Sequence, residues 1–220
     1  MHLPPFTAPW PFPEYKAHPG QFVILAPTDP DRDSLELFVA GHATDEARAL
    51  WRFLTRGPFE SEAAFRLYLH TLQERSDLLA YTVRRADDRA AVGMISIMRI
   101  EPAEGVAELG SIWYTPRVQR TAVNTETIYL LLKYLFEVLG YRRVEWKCDS
   151  ENARSAAAAR RLGFTEEGCF RQHMVVKGRS RDTLWFSMLD GEWSTRKACF
   201  EQTLYSGESV SLSALNARPR

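Results

Sequence analysis

The sequence has few cysteines, no excess of either charge and no long apolar run, and each absence excludes a class of protein. Its 3 cysteines are widely spaced among 220 residues, which argues against a disulfide framework or a metal site. With 28 basic and 28 acidic residues, it carries no electrostatic footprint for nucleic acid. No apolar stretch approaches the roughly 20 residues that cross a bilayer. These absences, and an N-terminus without a secretory pattern, predict a cytoplasmic protein without a metal, membrane or nucleic-acid partner.

What the sequence does contain is enough apolar side chain for one sizeable core, since 45% of its residues are hydrophobic. Half of its 12 prolines fall in residues 1–20, where we predict an extended arm on the body or a partly ordered tail. We predict a single domain over residues 21–204 and a loose polar tail over residues 205–220. The arm and the last helix offer surfaces for a homodimer.

Apolar periodicity predicts the order strand, helices, three strands, helix, strand, helix and two strands. The predicted strands are 22–25, 78–84, 91–98, 107–114, 143–149, 169–176 and 183–189. The predicted helices are 35–39, 46–54, one opening at 61, 125–139, 152–162 and 192–204. Antiparallel strands that lead into a strand–helix–strand crossover indicate an α/β fold around a mixed sheet.

A polar turn of small residues, 119–124, lies between a predicted strand and a long helix. The first amides of a helix lack internal partners and carry the positive end of its dipole, so such a turn is a ready anion site. Arg117 and Arg120 would add positive charge. The alternative is an ordinary helix start, capped by Asn124 or Thr125.

Two segments resemble signatures of the GNAT superfamily of N-acetyltransferases. The turn is similar to that family's pyrophosphate loop: Gln119 holds the first position, and Ala122 and Asn124 stand where glycines are usual. Asn152-Ala153-Arg154-Ser155, continuing to Gly163-Phe164, resembles the second signature. The likeness covers about residues 22–204.

Within this family, the sequence most resembles the ribosomal-protein N-terminal acetyltransferases, the RimJ/RimL-like branch. The matching runs are 119–121, 124–126, 146–149 and 170–174. The resemblance implies a mixed, mostly antiparallel sheet with a central strand–helix–strand crossover and helices on both faces. It also implies transfer of acetyl from acetyl-CoA to a primary amine by direct attack in a ternary complex. A protein N-terminus, a lysine and a small amine stay open as acceptors.

The resemblance also implies where acetyl-CoA binds. The strand before the turn would splay from its neighbour, so that its backbone pairs with the pantetheine arm. The turn amides would bind the pyrophosphate, and an asparagine of the next helix would reach the arm. The contacts predicted in this way are Trp113, Tyr114, Thr115, Gln119, Arg120, Thr121, Ala122, Val123, Asn124 and Asn152. For Trp113 the alternative is a core aromatic.

Acetyl transfer needs a base for the amine proton and a donor for the leaving thiolate. The offset of Glu108 from the turn matches the general-base glutamate of several family members, which predicts it as the base. A solvated or paired strand-edge carboxylate is the alternative. The family's usual tyrosine is replaced by Ala159, so Ser155 is the predicted donor, with a water or a plain surface serine as alternatives.

Other polar side chains are weaker candidates. His173 alternates in a strand and would point into the acceptor cleft. Arg171, Arg181 and Asp182 would shape the acceptor site or form structural ion pairs, and Cys148 is a predicted core residue. The missing tyrosine and the replaced glycines leave a non-catalytic acyl-CoA-binding module as the alternative function.

Overall fold

A computed structural model of the protein describes residues 9–208 and 210–216. Over these residues the strands form one sheet in the order β1-β2-β3-β4-β5-β6-β8-β7. They are β1 His18–Pro19, β2 Val23–Pro27, β3 Leu78–Arg85, β4 Ala91–Glu101, β5 Val106–Tyr114, β6 Arg143–Asp149, β7 Thr165–Val176 and β8 Arg179–Leu189. Every neighbouring pair is antiparallel except β5 and β6. The predicted mixed, mostly antiparallel sheet is therefore confirmed.

Helices cover both faces of this sheet. They are α1 Pro30–His42, α2 Asp45–Arg48, α3 Glu62–Gln73, α4 Ala122–Lys133, α5 Ala153–Arg161, α6 Asp190–Tyr205 and α7 Leu212–Asn216. A 3-10 helix, Ala49–Phe53, follows α2, and a π-helical turn, Tyr134–Val138, extends α4. Within the described residues no helix is long and apolar enough to cross a bilayer.

Two separate apolar cores pack against the sheet. Trp113 belongs to the core under α1 and α3, whereas the next residue, Tyr114, belongs to the larger core under α4 and α6. Met94 and Ile95 divide in the same way. Because successive side chains of a strand point to opposite faces, the two cores lie on opposite sides of the sheet.

The parallel pair β5–β6 is the feature that positions the site. Its register holds only from Val106, opposite Arg143, to Glu108, opposite Glu145. Beyond Glu108, β5 continues beside β4 as far as Tyr114, while β6 continues beside β8. The sheet therefore opens between β5 and β6 beyond Glu108, where β5 stays paired with β4 and β6 stays paired with β8.

Two bulges beside this opening bend the strands. The β4–β5 register shifts between Met98 and Glu101 and again between Met94 and Ser96. Each shift contains a residue with left-handed backbone, Arg99 with φ 48° and Ser111 with φ 52°. A bulge turns one extra residue out of the ladder and increases the local twist, which re-aims side chains next to the opening.

The N-terminal arm lies on the body over its described part, residues 9–20. Trp10 Nε1 donates to the Gly140 carbonyl at 2.7 Å, and the Tyr15 hydroxyl donates to the Ala80 carbonyl at 2.6 Å. The arm ends as β1, which pairs with β2. Residues 1–8 of the predicted arm lie outside the described residues.

The C-terminal segment corrects the prediction of a loose tail. Tyr205 is the last residue of α6, and its hydroxyl donates to Glu126 at 2.9 Å. Leu212 and Leu215 of α7 are buried, because this short helix packs against α5 and α6. Residues 209 and 217–220 of the predicted tail lie outside the described residues.

Candidate active site

A cleft occupies the opening between β5 and β6. Its floor is β4, β5 and β6, one wall is the start of α5, and the other walls are the bulged β7–β8 pair and the segment after α2. The lining residues are Leu50, Phe53, Leu54, Thr55, Met98, Arg99, Glu108, Leu109, Gly110, Ser111, Ile112, Trp146, Lys147, Cys148, Asp149, Asn152, Ser155, His173, Met174, Arg181 and Thr183. The cleft therefore contains both predicted catalytic residues, Glu108 and Ser155.

Beyond Glu108, the edge of β5 that faces β6 has no strand partner among the described residues. The side chains of Trp113, Tyr114 and Thr115 are buried, and Trp113 packs against Trp51 with ring centroids 5.4 Å apart. The Trp113 side chain is therefore a core aromatic, which was the alternative interpretation of this residue. Only the backbone of this stretch is available to a ligand.

The turn before α4 is held by two side-chain hydrogen bonds. Gln119 Nε2 donates to the Tyr114 carbonyl at 3.1 Å, which folds this side chain back onto the end of β5. Thr121 is the N-cap, because its Oγ1 accepts from the Val123 amide at 3.3 Å and α4 begins at Ala122. The prediction of a cap at Asn124 or Thr125 is therefore wrong, since both residues are already inside the helix.

The amides of this turn are left free for an anion. Arg120 has left-handed backbone, with φ 62°, and it lies between the extended residues Gln119 and Thr121. In the described part of the chain, no acceptor is bonded to the amides of Arg120, Thr121 or Ala122. Free amides at the positive end of a helix dipole form an anion site. Val123 and Asn124 complete the first turn of the helix, with the Val123 side chain in the core.

Glu108 is the buried carboxylate at the point where the strands separate. Its side chain is 8% exposed, and Oε2 lies 3.0 Å from Lys147 Nζ and 3.1 Å from Arg99 Nε. Burial raises the pKa of the Glu108 carboxyl, although Lys147 and Arg99 act in the opposite direction. A carboxylate with a raised pKa is suited to accept a proton from an amine.

Lys147 is a site residue that sequence reasoning missed. Its side chain is 6% exposed, its Nζ lies 2.7 Å from Glu145 Oε2, and it stands 3.8 Å from the centre of the Trp185 ring. The amine therefore bridges Glu108 and Glu145 over an aromatic face. The alternation with period two over residues 143–149 could have indicated Lys147, because it places this residue on the strand face opposite to that of the core residues Trp146 and Cys148.

Ser155 lies across the cleft on α5. Trp146 Nε1 donates to Ser155 Oγ at 3.0 Å, so the serine oxygen accepts there and its hydroxyl proton can be donated to another acceptor. Asn152 caps α5, since its Oδ1 accepts from the Ser155 amide at 3.1 Å, and only its Nδ2 is available to a ligand. Ala159, at the family's usual tyrosine position, is fully buried, and Cys148 is a core residue as predicted.

His173 lines the cleft because β7 bulges beside it. The β7–β8 register shifts between Phe170 and Met174, where Asp182 Oδ1 accepts from the Gln172 amide at 2.7 Å. His173 Nδ1 lies 3.0 Å from the Thr183 hydroxyl. Arg171 is exposed beside this bulge, whereas Arg181 lines the cleft.

A cover reaches over the cleft from the segment after α2. Leu50 and Phe53 line the cleft, and Lys177 at the tip of the β7–β8 hairpin donates to the Trp51 carbonyl at 2.6 Å. The sequence predicted one helix over residues 46–54. The structure instead has a single α-helical turn that tightens into a 3-10 helix, which brings these residues over the opening.

Comparisons with known proteins identify the class. The family model described as "Acetyltransferase (GNAT) domain" matches residues 23–165, so the chain belongs to the GNAT acetyltransferases. It is thus an N-acetyltransferase of an acetyl-CoA-dependent family.

Similar proteins agree with this class. A GCN5-related N-acetyltransferase from Brucella melitensis is 39% identical with a TM-score of 0.90, over 96% of this chain and 98% of that one. A "probable acetyltransferase" of the GNAT family from Chromobacterium violaceum is 44% identical with a TM-score of 0.82, over 88% and 96%. The "Putative ribosomal N-acetyltransferase YdaF" of Bacillus subtilis is 27% identical over 79% of this chain and 93% of YdaF, which agrees with the predicted branch.

Proposed function

We propose that the protein transfers acetyl from acetyl-CoA to a primary amine by direct attack of the amine on the thioester, with Glu108 as the base and Ser155 as the donor to the leaving group. One observation carries this proposal. The sheet opens at Glu108, so a buried carboxylate with a raised pKa lies at the base of a cleft between an unpaired strand edge and a serine.

The cosubstrate fits the free backbone groups around the opening. The unpaired edge of β5 offers a ladder to the amide-bearing pantetheine arm, as an added strand would use it. The amides of Arg120, Thr121 and Ala122 would hold the pyrophosphate, and Val123 and Asn124 would lie beside it in the first turn of α4. Gln119 braces the turn through the Tyr114 carbonyl, and Asn152 Nδ2 faces the arm from α5.

In the proposed reaction the amine nitrogen attacks the thioester carbonyl carbon, and its proton passes to Glu108 directly or through one water. As the carbon–sulfur bond breaks, the thiolate receives the Ser155 hydroxyl proton while a water reprotonates the serine oxygen in the same step. Glu108 then returns the amine proton to solvent. The Trp146 indole N–H donates to the Ser155 oxygen, so the serine hydroxyl proton points away from the indole. Lys147 and Arg99 hold the Glu108 carboxylate in place between turnovers.

Two measurements test this function. Because a ligand that binds only the folded state stabilises it, acetyl-CoA at about a hundredfold excess over Kd should raise the stability by about 2.7 kcal/mol. Acetyl-CoA should then release free CoA thiol in the presence of an amine panel. A thermal shift without any CoA release would identify a binding module, and no shift at all would refute acetyl-CoA binding.

S155A tests the donor. The variant should lower kcat about tenfold or more while the KM for acetyl-CoA changes little, because the hydroxyl acts on the leaving thiolate. Arg154→Ala, one residue away and exposed on α5, is the matched control and should keep the wild-type kcat. An unchanged kcat in S155A would assign the proton to water instead.

A further inference from the structure

The three cations that line the cleft, Arg99, Lys147 and Arg181, are not equally paired with carboxylates. Arg99 and Lys147 both lie within ion-pairing distance of Glu108, and Lys147 also contacts Glu145. These two cations are therefore balanced by carboxylates of the chain itself.

Arg181 is the cation of this group that lacks an acidic partner. Its Nε donates to Thr183 Oγ1 at 3.2 Å, and within the described residues no carboxylate lies in ion-pairing distance of its guanidinium. The side chain is half-buried on the cleft wall. A guanidinium has five donors in a planar fork that matches a carboxylate, so its free edge is suited to an anionic ligand.

The groups around Arg181 hold it at the cleft and do not cancel its charge. Thr183 is buried and also lies 3.0 Å from His173 Nδ1, which ties the arginine and the imidazole to one hydroxyl. Burial lowers the pKa of His173, and Arg99, Arg181 and Lys147 lower it further. Asp182, the acid next to Arg181 in the chain, accepts from the Gln172 amide and forms no ion pair with Arg181 in the described part of the chain. The Arg181 guanidinium therefore keeps a free edge for an anionic ligand.

We propose that the acceptor amine carries a carboxylate, which Arg181 binds while the amine faces Glu108; this inference rests on the acetyl transfer proposed above. Two sources share this chemistry, the α-carboxylate of a free amino acid and acidic side chains that follow the first residue of a peptide. A polyamine would bring a further cation beside the Arg181 guanidinium, which has no carboxylate partner among the described residues, so it is a poor acceptor.

Matched acceptors test the proposal on the full chain through release of CoA thiol. One pair is the peptide Ser-Asp-Asp-Ala-amide against Ser-Asn-Asn-Ala-amide, the other is serine against serinamide, and spermidine is the fifth acceptor. A hydrogen-bonded charge pair predicts a kcat/KM about tenfold or more higher for the carboxylate member of a pair. The pair that shows this preference identifies the source, and spermidine should be the poorest acceptor.

R181Q then assigns the preference to the arginine. The variant should reduce the preference for the carboxylate acceptor to about one, through a fall in kcat/KM for that acceptor, and leave the KM for acetyl-CoA unchanged. R181K should restore part of the preference. R66Q is the control of equal charge change, because Arg66 is exposed on α3 and outside the cleft lining. If R181Q fails to fold, the preference of the wild-type protein within the matched pairs decides.

Equal efficiency within both pairs, spermidine as the best acceptor, or an R181Q variant that keeps the preference would each overturn the inference and leave acetyl transfer standing. No transfer to any of the five acceptors would overturn it as well. In that case the thermal shift with acetyl-CoA shows whether the proposed function has failed with it.

Discussion

Replacing Glu126 by glutamine should destabilise the protein more than any other isosteric change in α4. The Glu126 side chain is fully buried, and its carboxylate accepts four hydrogen bonds. Three come from the amides of Gln21, Phe22 and Val23 at 2.9, 2.6 and 2.8 Å, and the fourth comes from the Tyr205 hydroxyl at 2.9 Å. One carboxylate therefore joins α4 to the turn that leads into β2 and to α6.

The size of the effect follows from these four bonds. An E126Q amide donates where the carboxylate accepted, so at least one buried backbone donor loses its partner and the others bond to a neutral oxygen. Hydrogen bonds to charged groups are worth roughly 1.5–3 kcal/mol each, so the expected loss is about 3–5 kcal/mol. For a chain of this size that corresponds to a Tm about 10 °C lower.

Urea unfolding followed by circular dichroism measures this loss. Y205F is the matched control, because it removes one donor and leaves the carboxylate with three, and it should cost about 1 kcal/mol. An E126Q variant within about 1 kcal/mol of the wild type would refute the view that this carboxylate joins the three elements.

Two further predictions concern pH and backbone contact. Burial would raise the pKa of the Asp33 carboxyl, but hydrogen bonds from Arg32, Arg84 and others outweigh it and lower the pKa to about 2. The resulting stabilisation is complete above pH about 4 and is lost as the pH falls through about 2. The free energy of unfolding should therefore drop by about 2 kcal/mol between these pH values, and D33N should lack that drop. G93A should cost about 3 kcal/mol in urea unfolding, since its Cβ would lie 2.1 Å from a β5 carbonyl, whereas G191A meets nothing within 4 Å and should be neutral.

Much of the fold was predictable because periodicity reports on burial. The β3 to β6 strands and the crossover through α4 are where the apolar pattern placed them. The start of α4 was not, because Thr121, Asn124 and Thr125 are all good N-caps, and only the fold of the preceding turn selects the first. The short strand β1 carries a proline and too few residues for a period.

The candidate site was predictable where a residue's chemistry is local and hidden where it depends on distant contacts. Glu108 and Ser155, which were predicted from their offsets to the two motifs, both line one cleft. The bulges at Arg99 and Ser111 were not readable, because neither residue type favours a left-handed backbone. The position of residues 50–55 over the cleft depends on the hydrogen bond from Lys177 to the Trp51 carbonyl, and these two residues are 126 positions apart in the sequence.

The central claim is that Glu108 is the base, and the pH dependence of kcat/KM tests it most directly. The wild-type rate should fall on the acid side at a pKa above the ordinary value for glutamate, because burial raises the pKa of this carboxyl. E108Q should lower kcat about a hundredfold or more and remove that acid limb. E145Q should keep the plateau rate and move the limb to lower pH, because the Glu145 charge also raises the pKa of Glu108. An E108Q variant with the wild-type rate and pH profile would contradict the account.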